Sequence, residues 1–276
     1  MERVGLIGVG NIGRHFTRLL VQKGYPLVVL DREMERVQFA VELGAGAASI
    51  PADVARQAEI ILLSLPGSHA VESVMEGENG LLSALTAGQI VIDTGTSRPD
   101  TDIKYEQIAR EKGAGFLDAP ITWRSPGLIF MVAGEELFYH RAKGVIDTIS
   151  YKHRHVGRIG NGQKLKLMNQ IILAGQLAIH AEAVAFCRRV DLAPELLKEY
   201  LEFPVSDALL TGDFSGSGTL ALHYKDLLYA LELGHEVGAN IPLTALVHEI
   251  FKLSAFQGDP SWSQPGILEY WKRLNP

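Results

Sequence analysis

By its thirteenth residue the chain has committed part of its backbone. A β-rich run, Val4–Ile7, feeds Gly8-Val9-Gly10-Asn11-Ile12-Gly13, which opens an apolar-periodic stretch, Ile12–Lys23. G-x-G-x-x-G in that setting turns a strand tightly into a helix. Gly8 permits the turn, Gly10 leaves backbone N–H groups approachable, and Gly13 lets the helix pack closely on the strand. The turn also aims a helix N-terminus, with its unpaired N–H groups and positive dipole end, at an anion such as a pyrophosphate. Gly8, Gly10, Asn11, Ile12 and Gly13 are therefore candidate dinucleotide contacts. Asp31 follows the next β-rich run, 18 residues beyond Gly13, where a carboxylate accepts hydrogen bonds from ribose hydroxyls. Its charge repels a 2′-phosphate and favours NAD, while Arg32 beside it keeps NADP open. The plainer alternative is a glycine turn with a surface Asp capping the following helix; the strand before, the helix after and the spacing to Asp31 weigh against it.

The rest of the first half repeats the alternation. Strands are expected at Leu27–Leu30, Ile60–Leu65, Ile90–Asp93, Phe116–Asp118 and Leu128–Val132, and helices at Glu33–Leu43, Asp100–Lys112 and Glu135–Ser150. Several strands are unbroken apolar runs, as in parallel sheets covered on both faces. The pattern implies an α/β fold: an N-terminal Rossmann-like, doubly wound sheet. After the glycine-rich Gly157–Gly162 no convincing strand follows. Lys164 to about Val190 reads as one long, mostly apolar helix, followed by helices at Ala193–Leu201, Leu220–Val237, Pro242–Phe256 and near Ile267–Leu274. The expected domains are residues 1–160, binding the dinucleotide, and 161–276, an all-helical domain for substrate and oligomerisation.

Composition narrows the partners. The 276 residues carry a net charge of −6, unsuited to tracking a phosphate backbone, so nucleic acid is not an expected partner. The most apolar stretch, Leu167–Phe186, contains Asn169, Gln170, Gln176, His180 and Glu182, polar groups that are costly in lipid; no membrane association is expected. A single cysteine, Cys187, and the lack of a signal-like start fit the cytoplasm. His180 and Glu182, two residues apart on a helix, do not share a face, and no metal site is expected.

Beyond the glycine turn, ordered motifs along the chain resemble the β-hydroxyacid dehydrogenases, which include 3-hydroxyisobutyrate dehydrogenase, tartronate semialdehyde reductase and the related 6-phosphogluconate dehydrogenase. Leu65-Pro66 stands where the family's cofactor-contacting loop begins. Asp93-Thr94-Gly95-Thr96-Ser97-Arg98-Pro99 is similar to its next cofactor segment, with Thr96 in the hydroxyl position facing the nicotinamide half. Asp118-Ala119-Pro120 matches the start of its substrate motif. Gly160-Asn161-Gly162-Gln163-Lys164-Leu165-Lys166-Leu167-Met168-Asn169 matches the motif that carries the catalytic lysine, and Lys225-Asp226-Leu227 its late K-D-L motif, whose lysine reaches towards the cofactor.

The resemblance implies an NAD(P)-dependent oxidoreductase that interconverts a small anionic β-hydroxyacid and its semialdehyde or keto form, assembled as a homodimer or homotetramer. Such chemistry needs one group to move the hydroxyl proton and donors to hold the substrate. Lys166 near the start of a buried helix suits the first task, since burial disfavours the ammonium. Asn169, three residues on, suits the second, with Gln170 another candidate. The plain reading of Lys166 is a solvated helix-start lysine, and of Lys225 a surface ion pair.

One segment departs from the family. Where members continue with S-G-G, this chain has Thr122-Trp123-Arg124 in a shortened loop. Thr122 keeps a hydroxyl, Trp123 fills space, and Arg124 offers a guanidinium fork for a carboxylate. The loop is expected to face Lys166 across an interdomain cleft. This departure leaves two alternatives, a catalytically silent dinucleotide-binding or scaffold protein and an imine reductase-like enzyme.

Overall fold

The computed structural model describes residues 1–216 and 218–274. Ser217, Asn275 and Pro276, inside the expected second domain, lie outside the described residues. Two compact units divide between Lys166 and Leu167.

The first unit is built on six parallel strands: β1 (Val4–Ile7), β2 (Leu27–Leu30), β3 (Gly46–Ala47), β4 (Ile60–Leu63), β5 (Ile90–Asp93) and β6 (Gly115–Asp118), in the order β3-β2-β1-β4-β5-β6. Alternate residues of each run serve opposite faces. Leu6, Leu62, Ile92 and Leu117 join one buried cluster, and Ile7, Ile61, Val91 and Phe116 join the other. Helices pack on both, and this two-sided burial explains the unbroken apolar runs. The order reverses between β1 and β4, so a crevice opens beyond their carboxyl ends, where ligands bind in such sheets.

The two-residue β3 and the short helices Pro51–Gln57 and Ser68–Met75 add to the expected elements; they are too brief to show a period in the sequence. It also treated residues 122–127 as a loop. They belong instead to a second sheet in which β7 (Ile121–Arg124) pairs antiparallel with β8 (Gly127–Val132), and β8 parallel with β9 (Lys152–His155). Ile-Thr-Trp is β-favouring sequence, and Ser125-Pro126 makes the connection where no ladder donor is needed. His153 on β9 bonds Asp147 (2.7 Å) and Tyr139 (3.1 Å), a structural role.

The second unit is helical. The helix Asn161–Arg189 supplies Ala174, Ala178, Ala181 and Val184 to its core, with Leu227 and Phe251 from the helices Leu220–Glu236 and Pro242–Gln257. Trp262 and Trp271 pack against this core. The long helix is long and apolar enough to cross a membrane by length and composition, yet Gln170 in it is buried and bonds Asp226 at 2.6 Å. Its expected burial on most sides is corrected on one: Leu165, Ile172, Ile179 and Phe186 are exposed, and their sevenfold spacing forms a single stripe.

Candidate active site

The glycine turn lies at the point where the strand order reverses. Gly8 has φ +96°, and a Cβ on it would sit 2.3 Å from the Ser64 carbonyl oxygen just past β4. A Cβ on Gly13 would sit 2.0 Å from the Gly8 carbonyl oxygen, so the helix Asn11–Lys23 reaches the strand only as glycine. Gly10 differs: a Cβ there would meet nothing within 4 Å. The space above Gly10 is left to a ligand, and Asn11 stands exposed at its edge with Ile12 half-buried beside it.

Asp31 is tied into the same turn. Its Oδ2 accepts from the Val9 N–H (2.6 Å) and its Oδ1 from the Glu33 N–H (2.9 Å), while Arg36 pairs with it at 3.5 Å. Each oxygen keeps a lone pair for a hydroxyl. Arg32 is exposed. Arg36, which sequence reading passed over, lines a depression with Gly10, Asn11, Arg14 and Glu33. Its distance from the glycine turn in sequence gave no signal. The residues present fit an adenosine dinucleotide: an open glycine, a helix N-terminus and an acid beside them.

Two further loops leave the carboxyl edge of the sheet. Leu65 is half-buried and Pro66 exposed after β4. After β5, the Leu63 carbonyl accepts from the Thr94 N–H (2.9 Å) and hydroxyl (2.8 Å), which fixes the base of a loop that leaves Thr96 half-buried. Gly95 is required here, since a Cβ would stand 2.5 Å from the Leu65 carbonyl oxygen.

Beside this loop is a buried polar cluster unforeseen in the sequence beyond the motif residues themselves. Asp93, Asp102, Asp118, Ser97 and Gln163 are all fully buried. Asp93 accepts from the Gly95 N–H (2.9 Å) and the Ser97 hydroxyl (2.6 Å). Asp118, directly across the ladder from Asp93, accepts from the Gly160 N–H (3.0 Å) and the Gln163 N–H (2.7 Å). It thereby caps the helix Asn161–Arg189 from the sheet, as an N-cap side chain would. The Gln163 amide donates to Asp102 (2.9 Å) and to the Gly95 carbonyl (3.1 Å), and accepts from the Ser97 N–H (3.1 Å). Burial pushes the Asp118 carboxyl up to about 6 against the pull of its two N–H donors. Burial, then the nearby Asp93 and Asp118 charges, hold Asp102 well above the usual carboxylate range.

Lys166 lies on the next helical turn and is buried. In the second unit, Asn169 donates to the Gln170 carbonyl oxygen (3.0 Å), and Gln170 to Asp226 (2.6 Å). Lys225 pairs with Asp226 (3.0 Å) and lies 5.0 Å over the Tyr229 ring. These bonds link four of the motif positions into one chain of polar contacts.

On the hairpin, Thr122 is half-buried, while Trp123 and Arg124 are exposed. Trp123 meets His15 of the glycine-turn helix edge-on, ring centroids 6.3 Å apart. Burial, then the Arg18 charge, hold the His15 imidazole below its ordinary value. The hairpin therefore abuts the dinucleotide turn.

Known proteins match along the whole chain. A family model described as the NAD binding domain of 6-phosphogluconate dehydrogenase matches residues 3–157. A second, described as NAD-binding of NADP-dependent 3-hydroxyisobutyrate dehydrogenase, matches residues 160–271. 2-(Hydroxymethyl)glutarate dehydrogenase of Eubacterium barkeri is 30% identical over 99% of this chain and 95% of its own. Among solved structures, Mycobacterium tuberculosis 3-hydroxyisobutyrate dehydrogenase with L-serine superposes with TM-score 0.86 at 22% identity, covering 98% of each chain. A Streptomyces aurantiacus imine reductase shares the fold at TM-score 0.64 and 18% identity, over 97% of this chain and 99% of its own.

Proposed function

Since the chain belongs to the β-hydroxyacid dehydrogenase family, we propose that it is an NAD(P)-dependent oxidoreductase that interconverts a small anionic hydroxyacid and the matching semialdehyde or keto acid. The nicotinamide, when bound, accepts or supplies the hydride. The chain's own residues bind, orient and move the proton. Gly8, Gly10, Asn11, Ile12 and Gly13 hold the pyrophosphate, and Asp31 the adenosine ribose. Leu65, Pro66, Thr96 and Lys225 make the remaining cofactor contacts. The Lys166 amine takes the hydroxyl proton in oxidation and returns it to the carbonyl oxygen in reduction. Asn169 steadies that oxygen. Thr122, Trp123, Arg124 and Gln170 contact the rest of the substrate, with Arg124 clamping its carboxylate.

One observation supports this reading most: the glycine turn sits at the reversal of strand order, and the buried Lys166 follows directly on a turn bonded to the loop that carries Thr96. Asp31 supports NAD over NADP. The exposed stripe Leu165, Ile172, Ile179 and Phe186 supports a homodimer or homotetramer, and the buried lone thiol of Cys187 suits the cytoplasm.

The test is a turnover screen with 3-hydroxyisobutyrate, 2-(hydroxymethyl)glutarate, related hydroxyacids and their semialdehydes, each with NAD(H) and NADP(H). Turnover of a hydroxyacid is the expected result, and Arg124→Ala should then raise KM with NADH affinity unchanged. NADH binding without any turnover would transfer the assignment to the silent dinucleotide-binding reading. Reduction of cyclic imines alone would transfer it to the imine reductase reading.

A further inference from the structure

The Gln163 side chain makes more connections than packing requires. Its two amide N–H groups and its carbonyl are spent on two segments: Asp102 on the helix Pro99–Glu111, and the loop after β5, which it grips at Gly95 and at Ser97 on either side of Thr96. Its own backbone N–H goes to Asp118 at the end of β6. The cluster leaves the amide no slack. Asp93 and Asp118 each accept a donor on each oxygen, which for Asp118 pulls against the larger effect of burial. Asp102 receives one, at Oδ2; its buried Oδ1 has no N–H or O–H donor in reach among the described residues, and the Asp93 carboxyl stands beside it. Burial and the neighbouring acids favour the protonated form of Asp102, and the side chain that donates to that acid is Gln163.

We propose that Gln163 is a positioning residue: its side chain locks the first turn of the lysine-bearing helix to the loop on both sides of Thr96, and so fixes the Lys166 amine relative to the loop that meets the cofactor. The proposal rests on the reading of Lys166 as the proton-transfer group. Lys166 lies three residues, nearly one turn, beyond Gln163, so a loosened first turn displaces its amine while the glycine turn at β1 is untouched. Misplacement of an acid–base group by about 1 Å costs on the order of 10²-fold in rate.

Two variants of the full-length protein test this. Gln163→Met keeps the length of the side chain and removes its donors and acceptor. Gln163→Glu keeps the shape as well: protonated, it keeps an acceptor for the Ser97 N–H and one of the amide's two donors; ionised, it has no donor and stands among Asp93, Asp102 and Asp118. The expected result for Gln163→Met is a kcat lowered by about 10²-fold with the KM for NAD within about threefold of wild type. Hydrogen exchange of the backbone amides over residues 161–168, measured without substrate, should rise by about tenfold or more. For Gln163→Glu, activity and protection of that segment should recover in part at acid pH, where one donor remains, and decline together as pH rises, a new pH limb that lost packing alone does not produce. Wild-type kcat and exchange in Gln163→Met, or a Gln163→Glu variant whose pH profile follows wild type, would overturn the proposal. Should Gln163→Met fail to fold, the pH dependence of Gln163→Glu decides. If wild type turns over none of the hydroxyacids, the substrate reading has failed, and the exchange measurements still decide the role of Gln163.

Discussion

Gly10 and Gly13 share one turn yet tolerate a methyl group differently. At Gly13 a Cβ collides with the Gly8 carbonyl, 2.0 Å away, whereas at Gly10 it meets nothing within 4 Å and φ is −71°. Gly13→Ala should therefore destabilise the fold by about 1–3 kcal/mol, as overpacking does. Gly10→Ala should leave thermal unfolding unchanged and abolish NADH binding, because its methyl occupies ligand space; fluorescence titration and melting curves separate the two. Asp31 spends its carboxylate on the turn and on Arg36 as well as on a ribose. Asp31→Asn should narrow the preference for NADH over NADPH, read as the ratio of kcat/KM values. Lys166→Ala should reduce kcat by about 10²–10⁴-fold, the usual contribution of a positioned acid–base group, with NADH affinity retained; Asn169→Ala should do less harm.

At the scale of elements, the start of the helix Asn161–Arg189 is held by a strand end. Asp118 satisfies two of the N–H groups that every helix leaves unpaired at its N-terminus. The cost is a set of acids kept out of water. Asp102 and Asp118 both have carboxyls raised above their unfolded values near 4. The folded state thus holds protons that the unfolded chain sheds, and their contribution to stability is complete below about pH 4 and lost as pH rises. For Asp118 the loss runs to about pH 6; for Asp102 it likewise sets in above about pH 4. Asp102→Asn removes that dependence and keeps a donor at the same place. Its stability relative to wild type should therefore improve as pH rises above about 4, by at most about 1.4 kcal/mol per unit. Denaturant midpoints across that range measure it; a constant difference would show that Asp102 ionises as freely folded as unfolded.

On the scale of the whole molecule, the exposed stripe on the long helix presents Leu165, Ile172, Ile179 and Phe186 at intervals of seven, the spacing that lets two helices pack along a seam. Sedimentation should give a dimer or larger assembly. Ile179→Glu with Phe186→Glu should shift it to monomer, by placing charges where an apolar seam would close.

The sequence alone determined what depends on local geometry. The glycine spacing required a strand-to-helix turn, the unbroken apolar runs required a sheet covered on both faces, and the change of pattern after Gly162 marked where strands stop. The order of motifs pointed to the family, and with it to Lys166 and Asn169, while the spacing from the glycine turn pointed to Asp31. Short elements such as β3 escaped because two residues carry no period, and the hairpin escaped because Thr122–Arg124 reads as loop until Gly127–Val132 is found beside it. Only the tertiary structure decided which buried groups meet. Asp93, Asp102, Asp118 and Gln163 come from two strand ends and two helices, and nothing in their spacing shows that one glutamine ties its own helix to the helix Pro99–Glu111, the loop after β5 and the end of β6. A hydrogen bond between residues 61 positions apart, such as Gln163 to Asp102, is set by how strands order themselves in a sheet, and that order is a property of the packed chain.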